Sequence, residues 1–502
     1  MKKRITGIIL LMAMLASAAS CGSEGTSADT DSAVSAPAET TTPVETADPD
    51  DRAHAADSLP DDLDFGGQPL RIFTRGGDPE VLIEFIAEEE TGEVLNDAVF
   101  ARNRSVEERL NITLDVMTTN STRHDGDHEM IRQIILSDSD EYDIIANQRN
   151  YTVGLSIEGL FTDLNALPYL DFGKPWWNDA FLEMTETRGR NFIAMGELAQ
   201  TMISGIYCMF FNSTMFGEFY ADEPSLYETV LAGDWTLDKM MTYCSGIYGD
   251  LNGNSAADEG DRFGHYFRNG QSLGTDCYFG GCNVQVLTYD GSGNLVYNGT
   301  GETALTYVEK LHDLIYNDNN TLRGSYNDAT VMVPMASGNV LFTAWMLGGM
   351  SYLRDMEDDF GIIPMPKLDE SQKEYNTADH NGSSVFCIPI TCKRMDMAAA
   401  ALEALCAESY RSVTPAYYEV VLKDKYSRDS ETTQMLDMMV ANIHLDLATI
   451  YGSSLGGVAS IFRKFFASSS GADSALSTLA GKEKELLTKM QEVIDRLDSI
   501  EN

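Results

Sequence analysis

The chain has 502 residues, a formal net charge of −43 at neutral pH and 43% hydrophobic side chains. That length calls for two or more domains, and the apolar share is enough to build large cores. The charge excludes nucleic acid and anionic lipid headgroups as natural partners and suits neutral or cationic small ligands.

Lys2, Lys3 and Arg4 open the chain, followed by an apolar run from Ile5 to Leu15. The run has the length of a secretory signal and is too short to span a bilayer. Small residues lead to Cys21 in the manner of a bacterial lipobox, with Ala18 where that motif usually carries leucine. Residues 1–20 read as a signal peptide, and Cys21 as the lipidated first residue of a mature chain held at the outer face of the bacterial cytoplasmic membrane. Residues 21–62 are rich in Ser, Thr, Ala, Asp, Glu and Pro. They cannot bury enough apolar surface to offset ordering entropy, and read as a disordered tether spanning on the order of 35 Å. No later run reaches membrane-spanning length. The cysteines beyond Cys21 show neither a disulfide framework nor zinc-ligand spacing, and read mostly as buried thiols.

The body begins with QPLRIFTRGG (68–77), a buried strand from Leu70 to Phe73 ending in a glycine turn. Leu95, Val99, Val106 and Leu110 then fall on one helical face with charges opposite. ITLDV reads as a second strand, a helix follows around 127–137, and YDIIANQ reads as a third strand with a polar end. This strand–helix alternation is the sign of a doubly wound α/β layer. Ligands in such sheets meet the carboxyl ends of the strands, which here carry Arg75, Gln148, Arg149 and Tyr151. RHDGDHEM (123–130) holds His124 and His128 but reads as a charged loop rather than a catalytic metal site. From 190 to 219 two apolar stretches flank a glycine, the second ending at Asn212. Thr236 reads as a helix N-cap with Trp235 and Met240 in staple positions, which makes Trp235 a structural residue.

DLNGNSAADEGD (250–261) has the spacing of an EF-hand-type calcium loop. Asp250, Asn252, Asn254, Asp258 and Asp261 supply side-chain oxygens at the expected intervals, and Ala256 offers its backbone carbonyl. Ser255 stands where such loops usually have glycine, and Asp261 where they usually have glutamate. DRFGHYF reads as a strand, so the loop is read as a structural Ca²⁺ clamp of the kind found in secreted proteins, with a dissociation constant of roughly 10⁻⁴–10⁻³ M. The last third is largely helical and closes in an amphipathic stripe of Leu476, Leu479, Leu486, Met490, Val493 and Leu497.

Taken in order, the lipobox and acidic tether, LNDAVFARNRSVEERLNITL, YDIIANQ, GRNFIAMGE, YCMFFNSTMF, GDWTLDKM, DLNGNSAADEGDRFG, FGIIPMPK and SVTPAYYEVVLKDKYSRD are similar to the extracellular solute-binding lipoproteins of bacterial ABC importers, the group that includes maltose-binding protein. The resemblance runs from about residue 65 to the end. It implies an α/β, two-lobed periplasmic-binding-protein-like fold of type II architecture, acting as a monomer that captures an extracellular solute and passes it to ABC permease subunits without chemistry. Carbohydrate is the commonest ligand class of the group, which points to an oligosaccharide.

By the same resemblance the chain crosses between lobes near 200–210, 381–390 and 430. Lobe one then comprises 63–203 and 385–430, and lobe two 204–384 and 431–502, with Gly205 and Gly382 beside the hinges. Trp345 lies where the maltose binder carries a stacking tryptophan, and Gln148 and Arg149 where it has polar sugar contacts. Arg75, Tyr151, Trp177 (or its neighbour Trp176), Ser204 and Tyr207 complete the expected ligand set. Two rivals stand beside this reading. One is a peptide or polyamine binder on the same fold. The other is a secreted glycoside hydrolase, although no GxSxG, HExxH or P-loop pattern is present.

Overall fold

The most apolar runs of the sequence become strands buried on both faces, as sheets covered by helices require, while the strand Ile112–Thr118 largely alternates between exposed and more buried positions. The computed structural model describes residues 52–77, 79–119, 124–268, 272–317, 319–324, 331–423 and 430–500. The expected signal peptide, Cys21 and the first part of the tether lie outside them. The strands are β1 (Gln68–Thr74), β2 (Ile112–Thr118), β3 (Ile144–Gln148), β4 (Tyr207–Asn212), β5 (Phe263–Arg268), β6 (Leu287–Tyr289), β7 (Leu295–Tyr297), β8 (Thr321–Gly324), β9 (Val340–Met346), β10 (Phe360–Pro364) and β11 (Ser384–Cys387).

A first sheet runs β11-β3-β1-β2, with β1, β2 and β3 parallel and β11 antiparallel to β3. A second sheet runs β10-β4-β9-β5-β8. There β5, β8 and β9 are parallel, and β4 runs against its neighbours β9 and β10. A short β6-β7 hairpin stands apart. Every residue of β3, β4 and β5 is buried. The mixed α/β architecture expected from the strand–helix alternation is present.

Three backbone segments run side by side between the two sheets. The first, Ser204–Tyr207, enters β4; the second, Thr377–Ser384, enters β11. Tyr207 donates its N–H to Ala378 and His380 donates to Gly205, at 2.9 and 2.8 Å. The third segment joins on the other side, where Thr377 donates to Asn442 and His444 to Thr377, at 3.0 and 2.8 Å. Gly205 is required here by space. A Cβ on it would lie 2.5 Å from the Thr201 carbonyl oxygen and 3.2 Å from Ser383 Oγ. The passage expected near 430 joins the helix Thr414–Lys423, which packs on the helix Val94–Leu110, to the helix Ser430–Ala441, which packs on β10. Residues 424–429, between these two helices in sequence, lie outside the described residues.

Several expectations need correction. The body does not begin at residue 63, because residues 52–59 are seated on it. Asp57 takes salt bridges from Arg109 and Arg411, each at 2.7 Å, and Leu59 is buried in the core. Arg52 forms an ion pair with the buried Glu197 and lies 3.9 Å above the Tyr410 ring. The composition of this stretch resembles a tether, but arginines far along the chain supply partners that local composition does not reveal. RHDGDHEM does not form a loop: His124–Leu136 is a helix, and Asp127 accepts a hydrogen bond from Thr119. The closing helix, Ala475–Asp498, does not serve lobe two alone. It packs on β7 and also on the helix Arg149–Ile157, which follows β3, and Arg190 donates to the carbonyls of Leu497 and Ile500. Within its stripe Leu476 is 57% exposed, while Leu479, Leu486 and Met490 are each 1% exposed. Leu476 points away from the packed face that Ala475 and Leu479 share in the same turn.

Candidate functional site

Where the three side-by-side segments meet, a cavity of about 300 Å³ opens. It lies at the carboxyl edge of both sheets. Asn150 stands two residues past the end of β3, and Tyr207 begins β4, whose first residue pairs with the last residue of β9. The second segment contributes Ala378, Asp379 and Asn381. The helix Ser272–Gly281 and the turn after it contribute Asp276, Phe279 and Gln285, and residues 444–463 form the remaining wall. Gly280 lets that helix approach the second segment, since a Cβ on it would meet Ala378 Cβ at 2.3 Å.

The wall charges are compensated within the protein. Arg149 Nη1 pairs with Asp379 Oδ1 at 2.5 Å, with both side chains fully buried. Arg463 forks onto Asp276, with Nε to Oδ1 at 3.0 Å and Nη2 to Oδ2 at 2.5 Å. Asp446 accepts N–H groups from Val286 and Thr449 at 3.0 and 3.1 Å, and burial pushes its carboxyl up to about 7. His444 lies 2.6 Å from the Gln285 amide nitrogen, and burial holds its imidazole below the usual histidine range. Burial also pushes the Tyr207 hydroxyl well above the usual phenol range. Such a wall presents amides, hydroxyls and neutralised pairs rather than a net charge.

The residues expected at the ligand are distributed differently. Tyr207 lines the cavity. Arg149 is 1% exposed and stands behind the wall, holding Asp379. Gln148 ends β3 and is 8% exposed, and its neighbour Asn150 is the one that reaches the wall. Arg75 is buried against the second segment, bonded to Ser384 Oγ at 3.3 Å and to the Gly382 carbonyl. Ser204 is buried at the end of the helix Gln200–Ser204, where the first passage begins. Tyr151 is half-buried and its ring faces His128, with centroids 5.8 Å apart.

Neither Trp345 nor Trp177 is among the cavity-lining residues. Trp345 is 2% exposed on β9, lies under the Arg268 guanidinium at 5.1 Å, and packs so closely on Gly349 that a Cβ there would lie 2.2 Å from its ring. Trp177 is 4% exposed and donates its indole N–H to Glu403 at 3.0 Å; Trp176 is fully buried. The residues that sequence reasoning missed, Asp276, Asp379, Asp446 and Arg463, come from segments distant in sequence. One local signal was available: IYGSSLGGVAS (450–460), a run of small residues that lets the chain lie close to whatever fills the cavity.

The loop 250–261 lies elsewhere, closed at its base by the Gly249–Arg262 bridge. Asp250 accepts N–H groups from Gly253 and Ser255 at 2.6 and 2.9 Å. The amides of Asn252 and Asn254 both donate to Asp258, at 2.9 and 2.6 Å, so the side chains of the third, fifth and ninth positions converge. Asp261 accepts N–H groups from Leu251 and Asp258. Ser255 takes a left-handed φ of 64°, the conformation glycine usually supplies at that point of such loops. The hydrogen bonds from its amide neighbours and Gly260 hold the Asp258 carboxyl below the usual range.

No protein-family model matches the chain, and no curated protein matches it by sequence. Solved structures do match its fold. The sugar-binding protein MalE of Xanthomonas citri superposes with a TM-score of 0.60 at 11% identity, over 85% of this chain and 99% of that one. Apo RafE of Streptococcus pneumoniae gives 0.55 at 13% identity, over 84% and 98%. The GacH receptor of Streptomyces glaucescens, solved unliganded and with acarbose, gives 0.54 at 11% identity, over 84% and 99%. The fold is that of the two-lobed, MalE-type solute-binding proteins, the group the ordered motifs resemble. At these identities the likeness is one of fold.

Proposed function

We propose that the chain is an extracytoplasmic receptor that captures a saccharide between its two sheet-bearing lobes and delivers it to an ABC permease without chemistry. The observation that carries this reading is the cavity at the three side-by-side segments, at the carboxyl edges of both sheets, with its charged side chains countered from within. Such a wall suits hydroxyl-bearing neutral solutes. Structural neighbours support it by what their names state: maltose bound to MalE3 of T. maritima, maltotetraose bound to a cyclo/maltodextrin-binding protein, and raffinose bound to RafE. Calorimetry against saccharides, tripeptides and putrescine tests the reading. Saccharide binding without turnover of chromogenic glycosides is expected. Binding of peptide or putrescine alone would establish the rival binder, and turnover would establish a hydrolase.

Lipidation at Cys21, a seat on the outer face of the cytoplasmic membrane and a monomeric state complete the proposal. It also includes Ca²⁺ in the loop 250–261. No group of three or more His, Cys, Asp or Glu side chains suited to a metal occurs among the described residues. The donor set would therefore rest on the mixed ligands of the loop: the carboxylates of Asp250, Asp258 and Asp261, the amide oxygens of Asn252 and Asn254, and the Ala256 carbonyl. The spacing of these positions fits that set, although here the Asn252 and Asn254 amide nitrogens face Asp258 and their oxygens accept the Asn254 and Ala256 N–H groups.

A further inference from the structure

The cavity specifies more than a fold-level ligand class. Its volume of about 300 Å³ corresponds to roughly ten waters' share of liquid and lies at the small end of ligand sites. That space is on the order of one or two sugar rings. Two aromatic side chains reach it, Tyr207 and Phe279, and both are nearly buried, at 4% and 6% exposure. Much of the third wall is built from small residues such as Gly452, Gly457 and Ala459. Extended stacking along several rings has no platform here.

Among the described residues that line the cavity, one buried side-chain atom is left without a partner. Asp379 is 3% exposed, and its Oδ1 is engaged by Arg149 at 2.5 Å. Its Oδ2 is buried and accepts no hydrogen bond from any described residue. Asp379 sits in the second segment, between Ala378 and Asn381 of the wall, where the backbones of the first and second segments are bonded together. A buried carboxylate oxygen without a donor is unfavourable, and a hydroxyl arriving with a ligand relieves that by a charge-assisted bond. The opposite ion pair, Asp276–Arg463, has both carboxylate oxygens engaged. The lining residues therefore combine one buried, unpartnered acceptor with the donor and acceptor amides of Asn150, Asn381 and Gln285.

We infer that the site takes a neutral saccharide of one or two rings and that Asp379 Oδ2 accepts a hydrogen bond from one of its hydroxyls. Arg149, which does not line the cavity, is the positioning residue that holds the carboxylate in place. This inference rests on the saccharide-receptor reading above and narrows it.

The full chain is titrated calorimetrically with glucose, galactose, maltose, lactose, sucrose, raffinose and maltotetraose, with putrescine and trialanine as controls. Tightest binding is expected from a mono- or disaccharide, with maltotetraose at least tenfold weaker. Asp379→Asn, which keeps the shape and removes the charge, is expected to weaken that ligand at least tenfold. Singly fluorinated analogues of the best ligand test the same bond on the unaltered protein, because fluorine cannot donate. One position is expected to lose at least tenfold on the wild type and little on Asp379→Asn. If that variant does not fold, the fluorinated series alone decides. Tightest binding of maltotetraose overturns the size assignment. Affinity unchanged in Asp379→Asn, or at every fluorinated position, overturns the acceptor. Failure of all the saccharides together with binding of putrescine or trialanine overturns the saccharide-receptor reading itself.

Discussion

Two groups of carboxylates in this molecule meet nearly the same donors and respond in opposite ways. At the passages between the sheets, Glu84 accepts from the Thr201 N–H at 3.0 Å, from Thr201 Oγ1 at 2.5 Å and from Ser384 Oγ at 2.7 Å, yet burial pushes its carboxyl above the usual range. In the loop 250–261, Asp258 accepts amide and backbone donors while in water, and its carboxyl is held below the usual range. The difference is desolvation: full burial outweighs several hydrogen bonds, and at the surface the bonds act alone. The buried group is therefore tied to its neighbours without solvent, and the exposed group keeps its charge in water.

If that contrast is right, the largest loss comes from breaking a buried pair at the cavity wall. Arg149→Ala leaves the buried Asp379 carboxyl without its partner, and urea unfolding is expected to show a loss of about 3–5 kcal/mol. Asp258→Asn in the exposed loop is expected to leave the midpoint nearly unchanged in the absence of calcium. Equal losses from the two substitutions would erase the distinction.

Next comes a pH signature of buried carboxylates. Glu403 accepts the Trp177 indole N–H at 3.0 Å, and burial pushes its carboxyl up to about 7 from a usual value of 4.5. The native state therefore holds its proton more tightly than the unfolded chain does. Its contribution is full below the usual glutamate range and is lost as pH rises through about 7, by on the order of 3 kcal/mol. Glu403→Gln is expected to flatten stability between pH 4.5 and 7. A slope identical to wild type would assign the pH dependence to other groups.

A smaller effect tests the seated segment 52–59. Asp57 is held well below the usual carboxylate range by hydrogen bonds from Arg109 and Arg411 against the opposing cost of burial. A depressed carboxylate stabilises above its unfolded pKa, and that contribution fades as pH falls below it. Asp57→Ala is expected to cost about 1–3 kcal/mol at pH 7 and less at pH 3, with earlier proteolysis near residue 55 as a second readout.

These cases also explain what the sequence could reveal. Strands and amphipathic helices were legible because their patterns are local: Leu70, Ile72 and Phe73 are buried in β1, and Thr236 caps its helix by accepting the Lys239 N–H at 3.2 Å. The passage at Gly205 came from the resemblance, not from periodicity, and the sheet order was legible only in the folded chain. The cavity wall was mostly illegible. Asp276 and Arg463 are 187 positions apart and Arg149 and Asp379 are 230 apart, and nothing in either neighbourhood announces its partner. Among 78 acidic residues, a residue that will be buried and paired looks like any other until the chain is folded. Tryptophans misled for a related reason. A large aromatic serves the core as readily as a sugar face, and Trp345 and Trp177 were needed inside.

The smallest expected effect belongs to the exposed loop and sharpens the contrast from the other side. With a dissociation constant of roughly 10⁻⁴–10⁻³ M, millimolar calcium would stabilise the folded chain only modestly, shifting its melting temperature by about 1–3 °C. Chelator should remove that shift. Asp250→Ala should abolish the response, because the Asp250 carboxylate accepts both the Gly253 and the Ser255 N–H groups and so fixes the turn on which the other oxygens depend. Asn252→Ala should weaken the response without abolishing it, since Asn254 still reaches Asp258. Melting curves that coincide with and without calcium would mean that the internal amide bonds alone satisfy these carboxylates. The loop would then be a self-contained turn, differing from the buried group in its solvent and in nothing else.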